Sequence, residues 1–190
     1  MEVRLDQFKH QNHINKSKIT LAFWLLLSSV FIQSKLLFPM FFKKIILQLF
    51  GAKIGSSFII KSGVSIKYPW KLRVGNNVWV GENVWIDNLE QVDIHNNVCI
   101  SQGALLLTGN HDYKKSDFAL VTAKIIIEDG VWIGAKSIVC PGVVCKKNSI
   151  LTVGSVLQKD SIENGIYQGN PAIHKRNRFI YPLPFNLNNK

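Results

Sequence analysis

The sequence predicts an all-β solenoid, a parallel β-helix of about five coils with three sides each. Three observations carry this. An apolar residue recurs every six positions at Ile127, Ile133, Val139, Cys145, Leu151 and Leu157. Between them, β-branched residues alternate with turn formers at Asp129-Gly130, Pro141-Gly142, Asn148 and Gly154. The same unit returns upstream at Ile54, Ile60 and Ile66, at Val74, Val80 and Ile86, and at Ile94, Ile100 and Leu106. A helix would repeat every three or four residues and a plain strand every two, so a period of six reads as a short strand closed by a turn.

The spacing between these groups sets the number of sides. Ile54 to Val74 and Val74 to Ile94 each span three hexads plus two residues, and Ile94 to Ile127 spans three hexads plus fifteen. Every insertion follows a third hexad, so three hexads close one coil and additions are tolerated at a single corner.

Residues 1–53 precede the coils. Met1 to Lys18 is polar and mixed in charge, with His10 and His13 read as solvated. Ile19 to Ile32 is nearly all apolar, and a second apolar run extends past Gln33-Ser34-Lys35 to Gly51, with Pro39 breaking any helix between them. The first run falls short of the roughly 20 residues that span a bilayer, and no small-x-small cleavage site follows it before Gln33. Two roles stay open for this stretch. It caps the terminal coil, as any solenoid requires, or it caps and also touches a membrane surface through residues 19–50. In the second role Phe23, Trp24, Phe31, Phe38, Phe41 and Phe42, beside Lys35, Lys43 and Lys44, would be interfacial anchors.

Residues 54–160 form the β-helix. Coil one holds Tyr68-Pro69-Trp70 at its corner, and coil two carries Asp87-Asn88 on its third side. After Leu106 the chain leaves the coils for one long excursion over residues 107–126, LTGNHDYKKSDFALVTAKII, where function is expected to concentrate. The tail, residues 161–190, holds YQGNPA and the basic Lys175, Arg176 and Arg178; Pro171, Pro182 and Pro184 argue against a long closing helix.

With 190 residues and 47% of them hydrophobic, the chain suits one core domain. The 23 Lys and Arg against 12 Asp and Glu give +11, which points to an anionic partner. A phosphorylated cofactor or a membrane fits better than nucleic acid, because no recognition helix or aromatic-basic motif is present. Cys99, Cys140 and Cys145 are odd in number and lack zinc-ligand spacing, so they are expected to stay reduced in a cytosolic compartment.

His111 stands at the base of the excursion, in Thr108-Gly109-Asn110-His111-Asp112. Imidazole exchanges a proton near neutral pH, which makes His111 the natural general base; a loop histidine that only bonds backbone is the competing role. His95 is the only other histidine of the coils, too few for the three or so imidazoles of a catalytic zinc, so no metal is expected. No nucleophile elbow, phosphate-binding loop or dinucleotide fingerprint occurs in the sequence.

The hexads, the loop TGNHD, the run IEDGVWIGAKSIVCPGVVCKKNSILTVGSVLQKD and the ending QGNPA together resemble the hexapeptide-repeat acyltransferases. Within them the chain is most similar to exopolysaccharide O-acetyltransferases of the colanic-acid-biosynthesis type, over nearly its whole length. The resemblance implies a left-handed helix, a homotrimer, and active sites between subunits with acetyl-coenzyme A lying along the coils. It makes His111 the base that deprotonates an acceptor hydroxyl for direct attack on the thioester. It sets Gly134 and Ala135 on the pantetheine arm, Val153, Gln158 and Lys159 on the next coil's contacts, and Arg176 near the nucleotide end. Turn formation and coil packing compete as roles for Gly134, Ala135 and Val153, whereas Lys159 and Arg176 also suit the phosphates of coenzyme A. Asp87, Asn88 and Asp112 are the candidates for acceptor contact, with turn formation favoured for Asp87 and Asn88. Val153 stands where relatives commonly carry alanine, and Cys145 replaces an aliphatic core residue.

The expected activity is therefore acetyl-coenzyme-A-dependent O-acetylation of a sugar hydroxyl on a polysaccharide or glycolipid precursor, at the inner face of the cytoplasmic membrane. An N-acetyltransferase of an amino sugar or nucleotide-linked sugar is the first alternative. A non-catalytic solenoid that binds glycan or serves as a scaffold is the second.

Overall fold

Hexads whose first residue is apolar can bury it only if each strand turns that residue toward a common axis, and the chain does this. A computed structural model describes residues 2–8, 14–36 and 38–181; His10, His13, Pro182 and Pro184 lie outside them. Coil one is β1 (Lys53–Ile54), β2 (Ile59–Ile60) and β3 (Ser65–Ile66). Coil two is β4 (Leu72–Val74), β5 (Trp79–Val80) and β6 (Trp85–Asp87), and coil three is β7 (Val92–Ile94), β8 (Cys99–Ile100) and β9 (Leu105–Leu107). The excursion forms a hairpin of β10 (Gly109–His111) and β11 (Leu120–Thr122). Coil four is β12 (Ile125–Ile127), β13 (Trp132–Ile133) and β14 (Ile138–Val139), and coil five is β15 (Val144–Cys145), β16 (Ile150–Leu151) and β17 (Val156–Leu157). The chain ends in β18 (Gly165–Gly169) and β19 (Ala172–Asn177).

Stacked coils generate three parallel sheets, β1-β4-β7-β12-β15, β2-β5-β8-β13-β16-β18 and β3-β6-β9-β14-β17, a left-handed parallel β-helix. The fifteen hexad positions read from the sequence all face inward, and all but the half-buried Ile54 are fully buried. Two corners repeat a left-handed turn in every coil. Ser57, Asn77, Asn97, Gly130 and Asn148 hold one, and Gly63, Asn83, Gly103, Lys136 and Gly154 the other, all at positive φ. The insertions all fall at the third corner, as the spacing predicts. In the tail, β18 adds a sixth rung to one sheet and β19 folds back antiparallel on it.

Each end of such a helix leaves an edge of backbone groups with no neighbouring strand. Between coils the bonds run both ways: Gly55 N and Ile59 N donate to Val74 O and Val78 O of the next coil, while Asn77 N and Asn83 N donate back to Ser56 O and Ser62 O. The carbonyls of coil one that point away from coil two have no strand to pair with, and buried orphans of this kind are costly. The helices α1 (Lys18–Phe31) and α2 (Met40–Leu49) supply donors. The Trp24 indole N–H bonds Ile66 O and Lys67 O at 3.2 and 3.0 Å, Lys43 Nζ bonds Lys61 O, Lys44 Nζ bonds Gly55 O and Gln48 bonds Ile54 O. At the far end Asp160 Oδ1 accepts from Val144 N and Ser161 Oγ from Lys146 N, while Ser161 N and Asn164 N donate to Val144 O and Lys147 O. The expectation that Trp24, Lys43 and Lys44 anchor at a lipid interface is corrected by this: all three point inward as caps, and burial lowers the Lys43 ammonium's pKa. Among the described residues no helix is long and apolar enough to cross a membrane.

Candidate active site

The excursion is held at its root by Thr108, fully buried, whose hydroxyl donates to Asp87 O at 2.8 Å and accepts from Glu90 N at 3.0 Å. From this clamp β10 and β11 project, pairing Gly109 with Thr122 and His111 with Leu120. The loop beyond them turns at Phe118, whose φ of 50° is left-handed and uncommon for a non-glycine residue. That conformation accompanies a carbonyl placed at His111: Phe118 O lies 2.7 Å from Nδ1, and the phenyl ring stacks on the imidazole at 4.3 Å with 8° between planes. A carbonyl only accepts, so Nδ1 carries the proton and Nε2 keeps its lone pair. Phe8 also packs near the imidazole, its ring tilted by 57° with centroids 5.7 Å apart, on an N-terminal segment joined to the loop by Arg4 N donating to Ser116 O at 2.7 Å.

His111 lines a cavity of about 550 Å³ together with Asp112, Tyr113, Cys140, Pro141 and Gln158. That volume is in the range of small-molecule sites. Asp112 shapes the loop as well, since Oδ1 accepts from Lys114 N and Oδ2 lies 3.8 Å from Lys115 Nζ. The Cys140 thiol is pushed up by burial, so it is protonated at neutral pH and a weak nucleophile.

Gly134, Ala135 and Val153 come together in a second groove of about 400 Å³, with Ser101, Gln102 and Trp132 on its walls. A Cβ on Gly134 would lie 2.6 Å from Leu151 O and 2.7 Å from Val153 N, so close coil stacking already demands glycine there. Val153 is 70% exposed at the groove's edge. Gln158 joins the His111 cavity instead of this groove, while Lys159 and Arg176 are exposed and line neither.

Asp87 and Asn88 differ sharply from each other. Asn88 is fully buried, with Oδ1 accepting from Tyr68 N and Nδ2 donating to Tyr68 O, so its amide is spent on the corner of coil one. Asp87 is buried beside Lys67, whose Nζ is 3.0 Å from Oδ1, yet that oxygen has no well-directed hydrogen bond. The contact is a charge pairing off the lone-pair direction, and acceptor capacity remains on the carboxylate. Neither residue lines the His111 cavity in the single chain.

The sequence did not single out Phe118 or Thr108 for these roles. A backbone carbonyl leaves no mark in residue type, and Thr108 reads as one more loop threonine until coil two is seen beneath it. Among the described residues no group of three or more His, Cys, Asp or Glu side chains could hold a metal ion.

No family profile matches the chain. It is 33% identical over 133 residues, 70% of this chain and 73% of the relative, to a protein named colanic acid biosynthesis acetyltransferase WcaF from Escherichia coli strain K12. The counterpart in Shigella flexneri gives the same figures. In fold it is similar to the hexapeptide-repeat acetyltransferase VCA0836 of Vibrio cholerae solved with acetyl coenzyme A, at a TM-score of 0.79 and 18% identity, covering 93% of this chain and 96% of that one. A galactoside acetyltransferase in complex with coenzyme A gives a TM-score of 0.74 at 22% identity, with 86% and 84% covered.

Proposed function

The chain belongs to the hexapeptide-repeat acetyltransferases of the colanic-acid-biosynthesis type, and from that membership we propose that it moves an acetyl group from acetyl-coenzyme A to a sugar hydroxyl of a polysaccharide or glycolipid precursor. The observation that carries the chemistry is the seat of His111. Nδ1–H is committed to Phe118 O, so Nε2 is the nitrogen that takes the hydroxyl proton at a cavity sized for a sugar. The freed oxygen bonds to the thioester carbonyl carbon, the carbon–sulfur bond breaks, and the proton held on Nε2 passes to the departing sulfur. Each turnover thus returns His111 to its starting tautomer. Direct attack is favoured over an acyl-enzyme because the cavity's one thiol, Cys140, is protonated.

Acetyl-coenzyme A supplies the activated acyl carbon, and the groove at Gly134, Ala135 and Val153 suits its narrow pantetheine arm because glycine keeps the wall flat. Lys159 and Arg176 are exposed cations suited to its phosphates. Asp112 and Gln158 bind the acceptor or the arm beside His111, and Asp87 has the carboxylate capacity to receive an acceptor hydroxyl.

The assembly proposed is a trimer. The outward side chains of the second sheet run Ile59, Trp79, Cys99, Trp132, Ile150, and those of the third run Ser65, Trp85, Leu105, Ile138, Val156. Two of the three outer faces are thus mostly apolar, whereas the first sheet runs Lys53, Arg73, Asp93 before Ile126 and Val144. Two apolar faces per chain are what a closed ring of three prisms requires.

The test is acetyl transfer with a panel of sugar and amino-sugar acceptors, comparing the parent chain with His111→Ala, alongside calorimetric binding of coenzyme A. A fall of at least about 100-fold with coenzyme A binding retained is the expected result. Retained transfer removes His111 as base. Failure of both proteins to bind coenzyme A replaces the enzyme by a glycan-binding scaffold, and transfer only to amino sugars replaces oxygen by nitrogen as the acceptor atom.

A further inference from the structure

Among the described residues nothing packs on the outer face of α1 and α2, and that face has the wrong chemistry for water. With Trp24 and Ser28 buried against the solenoid, α1 turns Ile19, Phe23, Leu26 and Val30 outward, at spacings that follow one helical stripe, and these are 70, 58, 62 and 41% exposed. The outward stripe of α2 is Phe41, Ile45 and Leu49. The two helices are tied together by Phe31 against Phe38 and Phe42, with ring centroids 4.8 and 5.2 Å apart. An ordinary surface helix carries charged residues on such a stripe.

Charge identifies the occupant. Between Asp6 and Glu82 the sequence contains no acidic residue at all, while Lys16, Lys18, Lys35 and Lys53 are exposed at or near the helix ends. Lys18 opens α1 and Lys16 precedes its cap, with no acid in the first turn. Cations at a helix N-terminus oppose the macrodipole, so this placement works against the helix itself and gains only if anions lie outside. A second copy of the same face would bring lysine rim against lysine rim, which disfavours self-association.

We infer that this face is a docking surface for an anionic lipid bilayer, with α1 and α2 lying in the interface and Phe23, Leu26, Phe41 and Leu49 entering it. Fourteen residues give a helix of about 21 Å, too short for a hydrocarbon core of about 30 Å, and its opposite face is occupied by the solenoid. The helix therefore lies on the membrane and does not cross it. The inference deepens the proposed function by giving a lipid-linked acceptor a place to be met. It rests on that reading for its purpose and not for its measurement.

The experiment is co-sedimentation of the full chain with vesicles of phosphatidylglycerol in phosphatidylcholine, and with phosphatidylcholine alone. The parent should pellet with the anionic vesicles and less with the neutral ones. Phe23→Ser with Leu26→Ser and Phe41→Ser, all at exposed positions, should weaken partition at least about tenfold. Lys18→Ser with Lys35→Ser should lower anionic binding and leave neutral binding unchanged. Circular dichroism and coenzyme A binding should match the parent in both variants. A parent chain that stays in the supernatant, or a triple serine variant that pellets equally, overturns the inference. So does a face that proves to be a self-interface, seen as a larger sedimenting species in the parent than in the variant without lipid uptake. Loss of vesicle binding with acetyl transfer intact strikes the docking surface alone. Vesicle binding without acetyl transfer strikes the proposed function alone.

Discussion

At the scale of single residues, burial decides what the ionisable groups can do. Cys145 occupies an inward hexad position, and burial, with the charges of Asp160 and Glu128 adding, raises its thiol from 9.0 to about 12. Between those values the unfolded chain loses a proton that the folded chain keeps, so stability must fall as pH rises through this window. Urea unfolding from pH 8 to 11 should show a loss approaching about 1 kcal/mol per pH unit that Cys145→Val removes. An identical slope in the variant would mean that the thiol is not buried. Gly134 makes a second case. Because its missing side chain is required by the backbone of Leu151 to Val153, Gly134→Ala should cost about 1–3 kcal/mol in chemical unfolding whether or not coenzyme A is present. A loss of coenzyme A affinity without loss of stability would assign the glycine to the donor instead of to coil stacking.

At the scale of elements, the informative feature is how the two ends are closed. The edge strands of a parallel helix leave backbone groups without a neighbouring strand, so a cap must bring partners to them. Side-chain donors of Trp24, Lys43, Lys44 and Gln48 do this at the first coil, and Asp160 and Ser161 at the last, where Ser161 accepts through Oγ and donates through its backbone N–H. Trp24→Phe keeps most of the packing but leaves Ile66 O and Lys67 O unpaired, and it should lower stability by about 1–3 kcal/mol. A variant as stable as the parent would show that water reaches those carbonyls. The hairpin β10–β11 is the other special element. Its strands are short, and it depends on Thr108 at the root and on Phe118 at the turn. Hydrogen exchange should accordingly open it well before the coils, and protection equal to that of β13 would contradict the picture.

At the scale of the whole molecule, two outer faces are mostly apolar and the third is charged over its first three coils, a distribution that suits the proposed trimer. Sedimentation should give three chains per particle, and Trp79→Asp with Trp132→Asp should yield a smaller species. A monomeric parent would leave the His111 cavity complete within one chain and remove the intersubunit site. In a closed trimer with parallel axes the three α1–α2 faces point the same way, so weak lipid contacts would add as avidity.

The fold was legible in the sequence because the hexad is a local rule. One apolar residue per six, turn formers between, and insertions of two, two and fifteen residues after a third hexad suffice to define three sheets and one irregular corner. The place of His111 on the excursion was legible for a related reason, since it is the one histidine there, while its role as base stays a proposal. What only the tertiary structure decided are relations between residues far apart in the chain. The carbonyl of Phe118 chooses the tautomer of His111, Tyr68 consumes the amide of Asn88 while Asp87 keeps capacity to spare, and the open carbonyls of coil one turn Lys43 and Lys44 inward. Residue type carries none of this. A lysine beside phenylalanines looks the same whether its ammonium meets a lipid phosphate or a backbone carbonyl, and only the position of that carbonyl distinguishes them.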